Sequence, residues 1–157
     1  MSSTNPIGIQ QNASTEIQAS LDVLLANLHV YYQNLRGVHW NIRGRNFFQL
    51  HEKFEELYND TQLKIDEVAE RILTLGGTPS HTYSAYLANN KLEIGENVKD
   101  DEPSVRLIHG NLLSLIDIER PLIELASENG DEGTADMITG FMSEQEKTAW
   151  MFRSWLG

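Results

Sequence analysis

Apolar residues recur along the chain in steps of three and four, the spacing that places side chains on one face of an α-helix. The first apolar stripe consists of Ile17, Leu21, Leu24, Leu28, Tyr31, Leu35 and Val38. Thr15, followed by Gln18, matches a capping box at the start of this helix. The pattern therefore predicts a long amphipathic helix that ends near Trp40, with Gly44 in the turn behind it.

A second apolar stripe begins directly after Asn46, a residue that favours the N-cap position and is followed three residues later by Gln49. Its apolar members are Phe47, Leu50, Phe54, Leu57, Ile65, Val68, Ile72 and Leu75. Gly76, Gly77 and then Pro79 end the pattern, as glycine and proline commonly do behind a helix. The predicted helix has about thirty residues and a length of roughly 45 Å.

The rest of the chain predicts one short helix and two long ones. Residues 78–102 lack a regular pattern, although residues 81–90 are typical of a short helix within a long crossover. Pro103 suits the first turn of a third helix, whereas Pro121 predicts a kink or bend further along it. A fourth helix is expected over residues 133–156.

This order of elements predicts the fold class. Two helices, a long crossover and two further helices are the chain order of an all-α, ferritin-like four-helix bundle. A plain four-helix bundle without any cofactor would give most of the same pattern. A chain of 157 residues is expected to form one domain over residues 1–157, of which residues 1–12 are expected to be flexible.

The charge balance narrows the functions that such a fold could serve. The net charge of -11 argues against a simple DNA-binding surface, because phosphate contacts rely on Lys and Arg. An acidic protein is suited to attracting cations, although acidity that only favours solubility would look the same. The absence of cysteine excludes thiolate metal sites. With no apolar run of transmembrane length and no signal-peptide pattern, the sequence predicts a cytoplasmic protein without a membrane partner.

Candidate metal ligands occur in two pairs on the second predicted helix. His51 and Glu55 are four residues apart, as are Asp66 and Glu70, so each pair projects from one face. The two pairs differ by only about 60° around the helix, but they lie about 22 Å apart along its axis. Metal–ligand bonds are about 2 Å long. One site therefore cannot contain both pairs from a single helix.

Two arrangements would resolve this separation. Other helices of the same chain could complete two separate sites, or the helix could pair antiparallel with its copy across a two-fold axis. The first arrangement is normally accompanied by Glu-x-x-His motifs. No histidine in the chain has Glu three residues before it; these positions hold Ala26, Arg36, Phe48, Thr78 and Arg106. The absence of this motif favours the site between subunits.

The residue types favour a divalent transition metal such as iron, because imidazole and carboxylate occur together, whereas calcium and magnesium prefer oxygen ligands alone. Zinc fits the same chemistry. Spacing by itself is weak support, because charged residues four apart usually form a solvated helix face. Taken singly, His39 or His51 is more often a capping or core residue than a ligand.

A longer motif adds specificity to these pairs. Residues 34–77 read NLRGVHWNIRGRNFFQLHEKFEELYNDTQLKIDEVAERILTLGG. The patterns HW-N-x-x-G-x-x-F-x-x-L-H-E and D-x-x-A-E-R-x-x-x-L-G-G strongly resemble the signature of the Dps family, the ferritin-like miniferritins known as DNA-binding proteins from starved cells. The resemblance extends over most of the chain, including the TADMI stretch around Asp136 and the W-M-F near the end.

The resemblance implies a hollow homododecamer with a ferroxidase centre at each two-fold interface. Carried over by position, His39, His51 and Glu55 come from one subunit, and Asp66 and Glu70 come from its mate. Iron, as Fe(II) and Fe(III), is the implied metal, and no organic cofactor is expected. One position departs from the pattern, because the family commonly has Asp where this chain has Glu55. The additional methylene displaces the carboxylate by about 1.5 Å, which is expected to alter the second metal position.

The implied activity is oxidation of Fe(II), preferentially by hydrogen peroxide and otherwise by oxygen, with storage of the ferric mineral and protection from oxidative stress. Trp40 resembles the family's tryptophan near the centre, which could quench radicals; a core aromatic at a helix end is the alternative. Glu132 and Asp136, with Asp131 as a tentative third member, align with the acidic pore through which iron enters. Carboxylates in the first turn of a helix also complement its dipole.

The name of the family suggests DNA binding, but neither terminus carries the Lys/Arg-rich extension that often supports it. DNA binding is therefore expected to be weak, and nucleoid association is left open. Two alternatives to the iron-storing ferroxidase are a DNA-condensing nucleoid protein and a ferritin-like interaction protein that forms no mineral.

Overall fold

The computed structural model describes residues 3–157, and the helices of this part are α1 (Gln11–Asn41), α2 (Phe47–Thr74), α3 (Tyr83–Ala88), α4 (Asp101–Glu128) and α5 (Glu132–Leu156). Helix α1 packs against α2, α3 and α4, and α4 packs against α5. The predicted all-α four-helix bundle with a short helix in its crossover is confirmed. Among the described residues the β-type pairing is limited to an isolated bridge between Thr4 and Gln10.

The apolar stripes that predicted the helices form the core of the bundle. On α1, Ile17, Leu21 and Leu28 are completely buried, as Phe54 is on α2. Phe54 stacks against Phe152 of α5, with ring centroids 6.3 Å apart. Burial of these apolar side chains stabilises the bundle by roughly 1.5 to 3 kcal/mol for each large residue. None of the helices in residues 3–157 is long and apolar enough to cross a membrane.

The predicted capping box at Thr15 is wrong, because α1 already begins at Gln11. Thr15 Oγ1 donates to the Gln11 carbonyl at 3.0 Å, so it serves the helix interior rather than its end. Gln18 Nε2 donates to the Leu75 carbonyl at 3.0 Å and thereby ties α1 to the end of α2. Asn46 precedes α2 as predicted, but its amide donates to the Asp101 carboxylate at 2.8 Å instead of capping the helix.

The kink or bend expected at Pro121 does not interrupt α4, which is helical from Asp101 to Glu128. A proline within a helix removes one backbone donor and crowds the preceding turn. Leu115, Leu122 and Ala126, on either side of Pro121, are buried in the core.

The segment before α1 is held by Asn5, which is only 4% exposed. Asn5 Oδ1 accepts hydrogen bonds from the backbone N–H groups of Ile7 and Ile9 at 3.1 and 2.8 Å. Its amide nitrogen donates to Ser14 Oγ at 2.9 Å. These contacts join the segment to the start of α1; Met1 and Ser2 lie outside the described residues, and the flexibility expected for residues 1–12 stays a prediction.

Two buried asparagines of α1 hold the crossover between α2 and α4. Asn27 donates to the Asn89 carbonyl at 3.1 Å and accepts from the Lys91 N–H at 2.7 Å. Asn34 donates to the Glu93 carbonyl at 2.8 Å. The crossover therefore has its own buried polar anchors, which satisfy backbone groups that no helix or sheet would satisfy.

Candidate metal centre

His39 and His51 meet where α1 ends and α2 begins. Their rings stack with centroids 3.8 Å apart and an interplanar angle of 11°. His39 Nδ1 lies 2.7 Å from the His51 carbonyl oxygen, and His51 Nδ1 lies 2.7 Å from the His39 carbonyl oxygen. Since a carbonyl oxygen only accepts hydrogen bonds, both Nδ1 atoms must be the donors. The two histidines thus hold each other through a reciprocal pair of hydrogen bonds.

These bonds fix the chemistry of the opposite ring nitrogens. A neutral imidazole with hydrogen on Nδ1 keeps its lone pair on Nε2, which is then free to bind a metal. The local fold supplies one of the acceptors, because His39 lies in the last turn of α1, where carbonyls lack intrahelical partners. In a continuing helix the N–H of Arg43 would bond to the His39 carbonyl, but it donates to the Lys99 carbonyl at 3.0 Å. The His39 carbonyl is therefore available to His51.

Glu55 stands beside the two imidazoles. Its Oε1 lies 3.8 Å from His39 Nε2, and its side chain is 52% exposed. Tyr58 packs edge-on against His39 with ring centroids 5.2 Å apart. Removal from water, and then the negative charge of Glu55, raise the pKa of Tyr58, so its hydroxyl stays protonated and can donate to that carboxylate. His39, His51 and Glu55 therefore bring two imidazole nitrogens and a carboxylate together where α1 meets α2, with His39 buried and Glu55 exposed.

The other predicted pair lies elsewhere on the same helix. Asp66 and Glu70 are exposed on α2, which runs without interruption from Phe47 to Thr74. At the helical rise they are about 22 Å from His51 and Glu55. No cluster of three or more His, Asp or Glu side chains within residues 3–157 is arranged to hold a metal ion. A single subunit thus carries two separated sets of candidate ligands.

The tentative pore residues differ in their surroundings. Glu132 and Asp136 are exposed on α5. Asp131 is only 1% exposed: its Oδ1 caps α5 by accepting from the Thr134 N–H at 3.0 Å and also accepts from Arg71 Nη2 at 2.6 Å. The Asp131 carboxylate thus joins α5 to α2, whereas its role as a tentative pore ligand stays a prediction.

Trp40 is not a core aromatic, since 55% of it is exposed. The Arg36 guanidinium lies over its indole ring at 4.7 Å from the centroid. The alternative reading of Trp40 as a buried helix-end residue is excluded, while its role towards radicals stays a prediction.

Sequence reasoning missed Tyr58 as a neighbour of the histidines. It follows Glu55 by three residues and His51 by seven, a spacing that places all three on one helix face. The reciprocal hydrogen bonds had no sequence signal, because their acceptors are backbone carbonyls.

Comparison with known proteins agrees with this architecture. The family profile described as "Ferritin-like domain" matches residues 18–157. A "DNA protection during starvation protein" from Porphyromonas gingivalis is 43% identical over 148 residues, which cover 94% of this chain and 93% of that protein. A crystal structure of a Dps protein from Vibrio cholerae O1, described as a member of a broad superfamily of ferritin-like diiron-carboxylate proteins, superimposes with a TM-score of 0.97. It is 44% identical and covers 100% of this chain and 98% of its own.

A Dps structure from Listeria innocua soaked with zinc has a TM-score of 0.86 and 37% identity, covering 90% of this chain and 96% of its own. The bundle, its crossover helix and the paired histidines thus define a ferritin-like protein. Within that class, the chain belongs to the Dps family.

Proposed function

We propose that the protein is a ferroxidase that oxidises Fe(II) at a centre shared by two subunits and stores the ferric product inside a hollow homododecamer. The observation that carries this proposal is the reciprocal bonding of His39 and His51, which leaves a lone pair on each Nε2 and places His39 Nε2 3.8 Å from the Glu55 carboxylate. Asp66 and Glu70 of the mate would complete the ligand set. Family membership supports iron as the substrate and protection of DNA as the consequence.

Exposed apolar residues on α2 support the pairing of two subunits. Phe48 precedes His51 by three residues and is 80% exposed, and Leu73 follows Glu70 by three residues and is 56% exposed. Both lie within about 60° of His51 around the helix. An antiparallel α2–α2 contact that puts His51 opposite Glu70 also puts Phe48 opposite Leu73. The same register thus brings together the ligands and covers two apolar side chains that are costly to leave in water.

The ligand types suit both oxidation states of the substrate. Imidazole nitrogens bind Fe(II), and carboxylate oxygens favour the harder Fe(III) that forms. Hydrogen peroxide, the preferred oxidant in this proposal, accepts one electron from each of two Fe(II) ions and gives two water molecules after its O–O bond breaks and two protons are taken up. Using two iron ions avoids the one-electron route that releases hydroxyl radical. Oxygen is the slower alternative.

Glu132 and Asp136 provide the exposed carboxylates for a pore through which Fe(II) enters, and the first turn of α5 adds a favourable helix dipole for Glu132. Trp40, exposed beside His39, is the proposed acceptor for radicals that leave the centre. DNA is protected in this scheme through removal of iron and peroxide. Each subunit adds a net charge of -11, which disfavours direct contact with duplex DNA.

Complementation between two defective chains tests the shared centre. A His51→Ala chain and an Asp66→Ala chain are each expected to lose oxidation activity by about 100-fold. In a pair made of one chain of each kind, one centre has both substitutions. The other centre takes His51 from the Asp66→Ala chain and Asp66 from the His51→Ala chain, so it is intact. Random co-assembly of equal amounts should therefore restore about a quarter of the wild-type initial rate of peroxide-driven Fe(II) oxidation.

The matched control is a mixture in which both chains carry His51→Ala, which leaves no intact centre. Equal shell formation by gel filtration is required for all mixtures. If the mixture of different chains stays as inactive as its components, the centre is not shared. Iron binding that stops at the number of centres, without a ferric core in the shell fraction, would instead favour a protein that does not mineralise.

A further inference from the structure

Glu55 has more freedom than the two histidines beside it. His39 and His51 fix each other through their reciprocal hydrogen bonds, whereas the Glu55 side chain is long and 52% exposed. Its Oε1 lies 3.8 Å from His39 Nε2, which is too far for a hydrogen bond. Holding a flexible carboxylate in one rotamer costs conformational entropy. A neighbour other than the imidazole must therefore position Glu55 if the carboxylate is to be in place before a metal ion binds.

Tyr58 is the neighbour that can position this carboxylate. It follows Glu55 by three residues on α2 and therefore lies on the same side of the helix. Removal from water raises the pKa of Tyr58, and the charge of Glu55 and a hydrogen bond to its carboxylate raise it further. The protonated phenol is the donor in this bond, and an ionised acceptor makes such bonds short and strong.

The ring of Tyr58 is itself held against α1 by two edge-on contacts. Its centroid lies 5.2 Å from that of His39, with an interplanar angle of 78°. The centroid of Tyr32 lies 5.9 Å away on the same helix, at 88°. Edge-to-face packing is a preferred arrangement of aromatic rings. The hydroxyl of Tyr58 therefore has a defined position, which a side chain free in solvent would lack.

Tyr32 is supported in turn by a cation. The Arg36 guanidinium lies 5.2 Å from the centroid of Tyr32 and 4.7 Å from that of Trp40. Residues 32, 36 and 40 are four apart on α1 and therefore form one stripe. Aromatic rings attract a cation placed over their faces. A continuous set of contacts thus runs from Trp40 through Arg36 and Tyr32 to Tyr58 beside the carboxylate.

We propose that Tyr58 is a positioning residue, which holds the Glu55 carboxylate beside His39 before iron binds and thereby raises the affinity of the centre for Fe(II). The effect on affinity rests on the proposed function, whereas the position of Glu55 does not. A glutamate loses more rotamer freedom on binding than a shorter aspartate would, so it gains more from being held in advance.

Tyr58→Phe tests this role, because it keeps the ring and both edge-on contacts and removes only the hydroxyl. In crystals of the metal-free variant, Glu55 should occupy more than one rotamer, while His39 and His51 keep their reciprocal bonds. Tyr32→Phe is the matched control, since it removes a hydroxyl from the adjacent ring of the same group. It should leave Glu55 as in the wild-type protein.

Titration with Co²⁺ measures the effect on affinity, since the bound ion is followed by its visible absorption without any oxidant. Loss of this signal in His51→Ala assigns it to the centre. Tyr58→Phe should weaken Co²⁺ binding by about 10-fold, the usual cost of losing a group that orients a ligand. Tyr32→Phe should weaken it by less than about 2-fold, as should Tyr58→Phe when added to Glu55→Asp, because the shorter side chain depends less on the hydroxyl.

A single, unchanged rotamer of Glu55 in the metal-free Tyr58→Phe crystals would overturn the proposal. Equal losses of Co²⁺ affinity from Tyr58→Phe with Glu55 and with Glu55→Asp would overturn it as well, because the hydroxyl would then act independently of the carboxylate. Co²⁺ binding that His51→Ala leaves unchanged would count against the proposed centre instead. The metal-free crystals would still decide whether Tyr58 holds Glu55.

Discussion

The open face of α2 and the centre of the bundle both contain carboxylates and nitrogen groups, yet they are built in opposite ways. On the face, Asp66 and Glu70 are exposed and form no ion pair within residues 3–157. Inside the bundle, the buried Lys64 ammonium pairs with Asp60 and Glu144 of the same chain, whose carboxylates reach it from the partly exposed edge of α2 and α5. The first region is incomplete without another molecule, whereas the second neutralises itself.

This difference shows that acidic residues alone do not identify a metal site. The residue that distinguishes the two regions is a single lysine, because an ammonium fills the place of a cation and makes the cluster self-sufficient. The histidines of the open face act in the opposite sense: bonds to backbone carbonyls fix their tautomer and leave Nε2 unused. A site is thus indicated by ligands that the chain itself leaves unsatisfied.

The largest expected effect tests whether the open face pairs antiparallel. The chain has no cysteine, so a Phe48→Cys, Leu73→Cys double variant can be cross-linked with a short bifunctional thiol reagent. We expect most chains to migrate as covalent dimers on denaturing gels. Each single variant should stay monomeric, because equivalent residues would lie about 37 Å apart in this register. Dimers from Phe48→Cys alone would instead indicate a different register.

A smaller effect is expected at the bundle centre from Glu119→Gln. The folded-state pKa of Glu119 is raised to about 8 by burial, above its ordinary value of 4.5. Its contribution to stability is therefore fully present below about pH 4.5 and is lost as pH rises through 8. The variant should gain roughly 2 to 4 kcal/mol relative to wild type between pH 5.5 and 8.5.

Urea unfolding of both proteins at equal subunit concentration, at each pH, measures this difference. Glu146→Gln is the control, because Glu146 lies on the surface of α5, paired with Arg120 at 3.0 Å, and influences Glu119 only through space. A stability difference that does not change with pH would show that Glu119 is ionised in the folded protein throughout this range.

Features of the two regions that arise within one helix could be predicted from the sequence, whereas contacts between helices could not. The helices followed from apolar periodicity, and the ligand pairs followed from fixed spacing on one helix. Glu119 also had a signal, since it stands between Leu115 and Leu122 on an apolar stripe. Its pairing with Gln145 had none, because contacts between distant helices are set by packing. For the same reason the hydrogen bond between Arg71 and Asp131 had no sequence signal, and Asp131 was predicted only as a tentative pore residue.

The smallest expected effect concerns the path by which Fe(II) is proposed to enter the shell. Glu132→Gln with Asp136→Asn should lower the initial rate of Fe(II) oxidation by about 2 to 5-fold at low ionic strength, because fewer carboxylates attract the cation. The loss should shrink as salt is added. A Glu128→Gln, Glu124→Gln variant removes the same charge from the end of α4 as a control. Equal rates in both variants would exclude a specific path through the α5 carboxylates.

The distance between the two ligand pairs on α2 has a thermodynamic consequence. No complete ligand set exists within residues 3–157 of one chain, so in the proposed arrangement metal affinity and subunit association are linked equilibria. If association of two subunits raises the affinity for iron by a given factor, bound iron raises the association constant of the subunits by the same factor. Dilution should then weaken iron binding, and iron should protect the pair against dissociation, without any change in the fold of either subunit.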